Sequence, residues 1–134
     1  MISKATAVRF LKFGFIGVIG FVVDSAVLLL GTKILGLDPY SARIISYIVA
    51  ATTTWIGNRM LTFADRPKTR LSKQWLMFLM VNGPGMLVNN SVYVLLVSQF
   101  PYIHANPVWA VAAGSLAGMV FNYVASSRFV FPKT

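Results

Sequence analysis

The stretch GVIGFVVDSAVLLLG, residues 17–31, has the make-up of a membrane-crossing helix broken near its middle by one carboxylate, Asp24. An acid at the centre of such a helix costs about 2.5–3.5 kcal/mol even on a lenient insertion scale, so its presence points to function. At 3.6 residues per turn, Gly17, Gly20, Asp24, Leu28 and Gly31 share one stripe. Small residues let a second backbone approach closely, so the stripe is expected to face protein and not lipid. A structural reading stands beside the functional one: a protonated Asp24 carboxyl hydrogen-bonded to a neighbouring helix, fixing the packing.

The rest of the chain agrees with that helix. Of 134 residues, 57% are hydrophobic and only 11% charged, against about 25% charged in a soluble domain. Too few polar side chains are present to cover a water-facing surface. The net charge of +9 comes from 12 Lys/Arg against Asp24, Asp38 and Asp65. A nucleic-acid binder would carry that charge on a solvated face of a polar domain. Here the cations lie between apolar runs, which suits anionic lipid headgroups or phosphorylated substrates. There is no cysteine, hence no disulfide framework and no thiolate chemistry.

Apolar stretches at 13–35, 41–63, 75–99 and 107–131 are each long enough to cross a hydrocarbon core, which takes about 20 helical residues. Pro-containing breaks at 36–40 and 99–107 stop the helices, and the polar loop ADRPKTRLSK, 64–73, divides the chain. Ten basic residues fall on one side: Lys4, Arg9, Lys12, Arg59, Arg66, Lys68, Arg70, Lys73, Arg128 and Lys133. Only Lys33 and Arg43 fall on the other. That asymmetry predicts both termini and the 64–73 loop in the cytoplasm. The expected fold is an all-α membrane protein, one membrane domain over 1–134, with four transmembrane helices.

The halves, 1–65 and 66–134, resemble each other. Phe13 aligns with Phe78 and Asp24 with Asn89. Pro39, Ala42 and Phe63 align with Pro107, Ala110 and Phe131. Each half is expected to be a helical hairpin starting and ending on the same side, so the two hairpins have parallel orientation.

Further polar positions fall at helical spacing within the spans. Asn82, Gly85, Asn89 and Tyr93 share a stripe of the third, with Asn90 beside it. Tyr47, Ala50, Thr54 and Asn58 share one on the second. On the fourth, Gly114, Gly118, Phe121 and Ala125 align, with Asn122 on the flank. The amides serve equally well as interhelical glue. Pro84 removes a backbone donor and is expected to kink or open the third helix. Trp55, Trp75 and Trp109 lie near span ends, where interface anchoring is their default role. Arg59 and Arg128 end helices about a turn before a Phe and can snorkel to phosphate depth. Arg43 and Lys33 make a smaller positive site at the other face.

RFLKFGFIGVIGFVVD (9–24), WIGNRMLTF (55–63) and NYVASSRFVF (122–131) together resemble the GtrA-like family of four-span bacterial membrane proteins. Leu61 and Trp55 depart from the residues usual there, and neither departure removes a charge. The resemblance covers nearly the whole chain and implies a place in the bacterial cytoplasmic membrane. It implies a flippase that moves a polyprenyl-phosphate-linked monosaccharide across that membrane for cell-surface polysaccharide glycosylation. It matches Asp24, Asn58, Arg59, Asn122 and Arg128 to family motif positions. With Asn82, Asn89 and Arg43 added from the residues themselves, these form the expected substrate-binding set. Asp24 and the amides would receive sugar hydroxyls, while Arg59 and Arg128 dock the phosphate inside.

Four helices enclose little volume, so a homo-oligomer is expected. Alternatives remain: a small multidrug-type cation exporter, which also carries an acid in its first span, or a non-transporting partner subunit of a membrane glycosyltransferase. An enzyme is not expected. Asp38 and Asp65 stand alone on their faces, His104 has no acidic neighbour in sequence, and no metal or cofactor site is indicated.

Overall fold

The computed structural model describes residues 3–68 and 70–133, and among these every regular element is helical. Helix α1 runs Lys4–Leu29 and continues through one π turn, Leu30–Ile34. Helix α2 runs Pro39–Gly57 and ends in a π turn at Asn58–Thr62. Helix α3 spans Leu71–Gln99, α4 is the short Pro101–Ala105, and α5 runs Val108–Ala125 with a π turn at Ser126–Val130. The first helix starts nine residues before the expected apolar span, because Ser3 caps it by accepting the Thr6 N–H. Asp38 caps α2 in the same way through the Ser41 N–H, with Pro39 at the first helical position. The Ser41 hydroxyl and amide hold the Asp38 carboxyl below the usual carboxylate range.

Gly36 makes the turn between α1 and α2. Its φ of +71° lies in the left-handed region that favours glycine, and Leu37 N–H returns to the Gly31 carbonyl at 2.9 Å. The expected opening at Pro84 does not occur, since α3 runs unbroken through it. The lost donor removes one bond to the Met80 carbonyl, and the turns on both sides hold the helix. The break at 99–107 likewise holds the short helix α4, started by Pro101.

Polarity runs opposite to that of a water-soluble bundle. Phe15, Phe21, Leu29, Leu76, Leu87 and Leu116 all point outward, whereas Ser46, Asn58, Thr62, Gln74 and Ser126 are buried. Outward apolar and inward polar side chains suit a lipid surround, in which polar groups must find partners inside the protein. Helices α1 and α5, with their π turns, are each long and apolar enough to cross a membrane on length and composition alone. The interiors of α2 and α3 are diluted by Thr52–Thr54 and by Asn82, Asn89 and Asn90.

Helices α1 and α2 form one hairpin, and α3 and α5 another. Within the first, a Cβ on Gly31 would lie 3.2 Å from Ala42 Cβ, and one on Gly57 would lie 2.8 Å from Ile16 Cδ1. Gly20 fits directly against Thr54. Within the second, Gly85 fits against Asn122, and a Cβ on Gly114 would lie 2.6 Å from the Asn89 carbonyl oxygen.

The two hairpins carry the same contacts at matched positions. Phe13 meets Phe63 edge-on at 6.3 Å and 70°, and Phe78 meets Phe131 at 6.3 Å and 68°. Arg9 donates to the Thr62 carbonyl, and Gln74, at the same offset as Phe78 from Phe13, donates to the Val130 carbonyl. The N–H of Phe63 closes one π turn on Asn58, and that of Phe131 closes the other on Ser126, both at 2.8 Å. Between the hairpins, Phe63 stacks on Phe131 at 4.7 Å and 11°.

At this end Arg9 also forms a two-pronged ion pair with Asp65, at 2.8 and 2.9 Å. The Arg9 guanidinium holds the Asp65 carboxyl well below the usual carboxylate range. The Asp65 side chain is 65% exposed, so the pair contributes about 0.2–1 kcal/mol after solvent screening.

Three substitutions are read by reversible unfolding in mixed micelles. Gly114→Ala pushes a methyl into the Asn89 backbone and is expected to cost about 1–3 kcal/mol. Gly17→Ala, with nothing within 4 Å of its Cβ, should match wild type or gain up to about 1 kcal/mol. Because the folded Asp65 carboxyl titrates below the unfolded one, its contribution is present above about pH 4. It is lost as pH falls toward the depressed value. Asp65→Asn should therefore be the less stable protein at neutral pH, with the difference closing below pH 4.

Candidate functional site

A cavity of about 580 Å³ lies between the hairpins and draws on all four long helices. Asp24 and Gly20 line it from α1, Arg43, Tyr47, Thr54 and Asn58 from the α2 arm, Asn82, Asn89 and Asn90 from α3, and Ser115 and Asn122 from α5. Phe13 and Phe78 line it next to the aromatic cluster. Helical spacing explains why these residues converge. Three of the five positions of the α1 stripe reach the cavity, and the α2 and α3 stripes supply Tyr47, Ala50, Thr54, Asn58, Asn82, Gly85 and Asn89. On α5 the stripe divides. Gly114 and Gly118 are buried and Phe121 is exposed; Gly118 lines the cavity together with the flanking Asn122.

Asp24 does not hydrogen-bond as a lone acid. Its Oδ2 accepts from Arg43 Nη1 at 2.6 Å, and its side chain is 22% exposed against 46% for Arg43. In the hairpin register set by Gly31 against Ala42, Arg43 stands level with Leu30. That is six residues, or about 9 Å, nearer the far end than Asp24. The Arg43 stem therefore runs along α2 toward the acid, and Arg43 is paired with Asp24. Lys33 lies outside the cavity. A carboxylate in a low-dielectric interior is tolerable only when paired, and the hairpin supplies its partner. Asp24 Oδ1 and Asn122 Oδ1 are buried acceptors with no hydrogen-bond partner among the described residues.

The amides differ in how far they are committed. Asn58 is buried and accepts from the Thr62 hydroxyl at 2.7 Å. Asn82 donates to the Phe78 carbonyl at 2.9 Å. Asn89 packs against Gly114 and Gly118, and Asn90 is exposed. Tyr47 donates across the hairpins to the Leu79 carbonyl at 2.7 Å.

Arg59 and Arg128 do not reach the cavity. Each sits in a π turn that ends its helix. Arg59 donates to Gln74 Oε1, and Arg128 is exposed. Trp55 and Trp75 are not free interface anchors either. The Trp55 indole N–H donates to Gln74 Oε1 at 3.0 Å and that of Trp75 to the Thr52 hydroxyl at 2.8 Å, each joining α2 to α3. An indole N–H away from water requires such a partner. Trp109 is 58% exposed.

Gln74 is the junction residue that sequence reading missed. It is fully buried, accepts from Trp55 and Arg59, and donates to Val130. The one available signal was its offset match to Arg9. Together with Arg66, which donates to the carbonyls of Ser127 and Phe131, it ties the hairpins at the end holding the 64–73 loop. Gln74→Leu strands the Trp55 N–H and the Val130 carbonyl. The expected loss is at least about 1–3 kcal/mol of unfolding free energy, the cost of a buried unsatisfied group, read by the same micelle titration.

No curated protein matches the chain. A family model for the GtrA/DPMS transmembrane domain matches residues 12–131, which takes in α1 from Lys12 onward, the whole of α2, α3 and α5, and every residue named in the cavity. The chain is a membrane protein and belongs to the GtrA/DPMS transmembrane-domain family.

Proposed function

We propose that this protein is a flippase for a polyprenyl-phosphate-linked monosaccharide in the bacterial cytoplasmic membrane, serving cell-surface polysaccharide glycosylation. All four long helices then cross the bilayer, with both termini and the 64–73 loop on the cytoplasmic side. The carrying observation is the cavity: an ion pair, five amides and three hydroxyls placed among helices whose outer faces are apolar. A sugar crossing hydrocarbon loses its hydrogen bonds to water, at a cost of several kcal/mol per unpaired polar group. The cavity replaces those bonds. Asp24 Oδ1 and Asn122 Oδ1 are acceptors suited to sugar hydroxyls, and the Asn82, Asn89 and Asn90 amides offer both donors and acceptors. Val18 and Phe21, on the cavity's edge, are 62% and 69% exposed, so the prenyl tail stays in lipid while the headgroup enters from the side.

Arg59 and Arg128, near the cytoplasmic end, belong to the approach of the phosphate and not to the cavity. Anionic lipids gather at the same cationic rim. A second copy of the chain would complete the enclosure, so the working unit is a homo-oligomer. Nucleic acid has no part in this reading, and neither does a catalytic step. Asp38 caps a helix, Asp65 pairs with Arg9, and the substrate changes leaflet without changing covalent bonds. The multidrug-exporter alternative calls for an acid free to exchange protons and cationic drugs, whereas Asp24 is paired with Arg43.

Proteoliposomes loaded with a polyprenyl-phosphate hexose test the proposal. Purified wild type should speed headgroup translocation, and Asp24→Ala and Asn122→Leu should each slow it by about tenfold or more, the loss of one charge-assisted or buried hydrogen bond. Undiminished rates in both variants would reject this site. Translocation only in the presence of a co-purifying glycosyltransferase would favour the partner-subunit reading.

A further inference from the structure

We infer that Arg43 is the docking point for the substrate's phosphate at the far mouth of the cavity, and that Asp24 is an internal stand-in anion which the phosphate displaces. The inference rests on the proposed phosphate-bearing lipid substrate and adds to it a site and an order of events. Asp24 and Arg43 are the charged residues lining the cavity, so a phosphate entering there meets one cation, already occupied. That occupation is thin. A guanidinium has five N–H donors in a planar fork, and the hydrogen bond to Asp24 runs from Nη1 alone to Oδ2 alone. The fork matches two phosphate oxygens, and a two-pronged pair outweighs a single one.

Position favours the exchange as well. Arg43 is the more exposed partner and lies toward the mouth, while Asp24 lies deeper and is more buried. The bond of Trp55 to Gln74 and the stacking of Phe63 on Phe131 join the hairpins toward the opposite end, while on the Arg43 side Tyr47 donates across to the Leu79 carbonyl. Swapping one anion for another on Arg43 keeps the guanidinium paired throughout. The displaced carboxylate exchanges its guanidinium partner for sugar hydroxyls, from which both of its oxygens accept.

The test is binding of a headgroup-free polyprenyl phosphate to the full chain in nanodiscs, with the corresponding prenyl alcohol as control. Removing the competing carboxylate by Asp24→Asn should tighten binding by about tenfold, and Arg43→Gln should weaken it by about tenfold or more, the scale of one charge-assisted hydrogen bond. Arg43→Lys should fall between wild type and Arg43→Gln, and the alcohol should show none of this ordering. Weaker or unchanged binding by Asp24→Asn overturns the stand-in role. Inorganic phosphate competing as strongly as the prenyl phosphate overturns the assignment to a lipid. Should a variant fail to fold, wild type still decides: prenyl phosphate, but not the alcohol, should slow phenylglyoxal labelling of Arg43, and no protection overturns the inference. Because the ligand carries no sugar, this result stands apart from the transport assay. Correct binding order with no transport would retire the flippase and keep the site, and the converse would do the opposite.

Discussion

The buried Gln74 amide holds this bundle in its shape. One side chain accepts from the Trp55 indole and the Arg59 guanidinium of the first hairpin and donates to the Val130 carbonyl of its own. Around it Phe13, Phe63, Phe78 and Phe131 close into one aromatic cluster. A polar group inside a membrane domain has no water to fall back on, so a satisfied amide at a helix junction is costly to pull apart. With the hairpins fastened at one end, their other halves enclose a cavity and need not pack against each other. The knot at Gln74 and the cavity at Asp24 are two results of one arrangement.

The π turns at Asn58–Thr62 and Ser126–Val130 belong to the same junction. Each ends on a phenylalanine whose N–H closes the wide turn at 2.8 Å, and the two rings stack on each other. Phe63 and Phe131, at the ends of these turns, meet between the hairpins, while Arg59 and Arg128 lie outside the cavity. Arg9 and Arg66, each over the Phe63 ring at 5.5 and 5.2 Å, cover the cluster on the side of the loop. Cations over an aromatic face are stabilised there even where water is near. Part of the basic excess therefore has structural work at this end.

Charge is distributed differently between the two hairpins. Asp24 has a cationic partner in its own hairpin, while its match in the second, Asn89, is a neutral amide pressed against Gly114 and Gly118. A cavity with one ion pair and several amides is close to neutral overall and rich in donors and acceptors. That suits an uncharged polyol held beside a single anionic group, which is the chemistry of a sugar phosphate.

Much of this was legible in the amino-acid order. The lengths of the apolar runs, the Pro and Gly breaks and the residues at 3.6 spacing placed Asp24, Asn58, Asn82 and Asn89 on the inner faces, because local periodicity depends only on neighbours along the chain. The offset matches between the halves also name positions that share contacts, such as Phe13 with Phe63 and Phe78 with Phe131. Three things needed the folded chain. The partner of Asp24 depends on the register of α2 against α1, which brings Arg43 down from a distance of nineteen residues in sequence. The burial of Gln74 depends on three elements meeting at one point. The placement of Arg59 outside the cavity goes with its bond to Gln74 on another helix, which periodicity along one segment does not show.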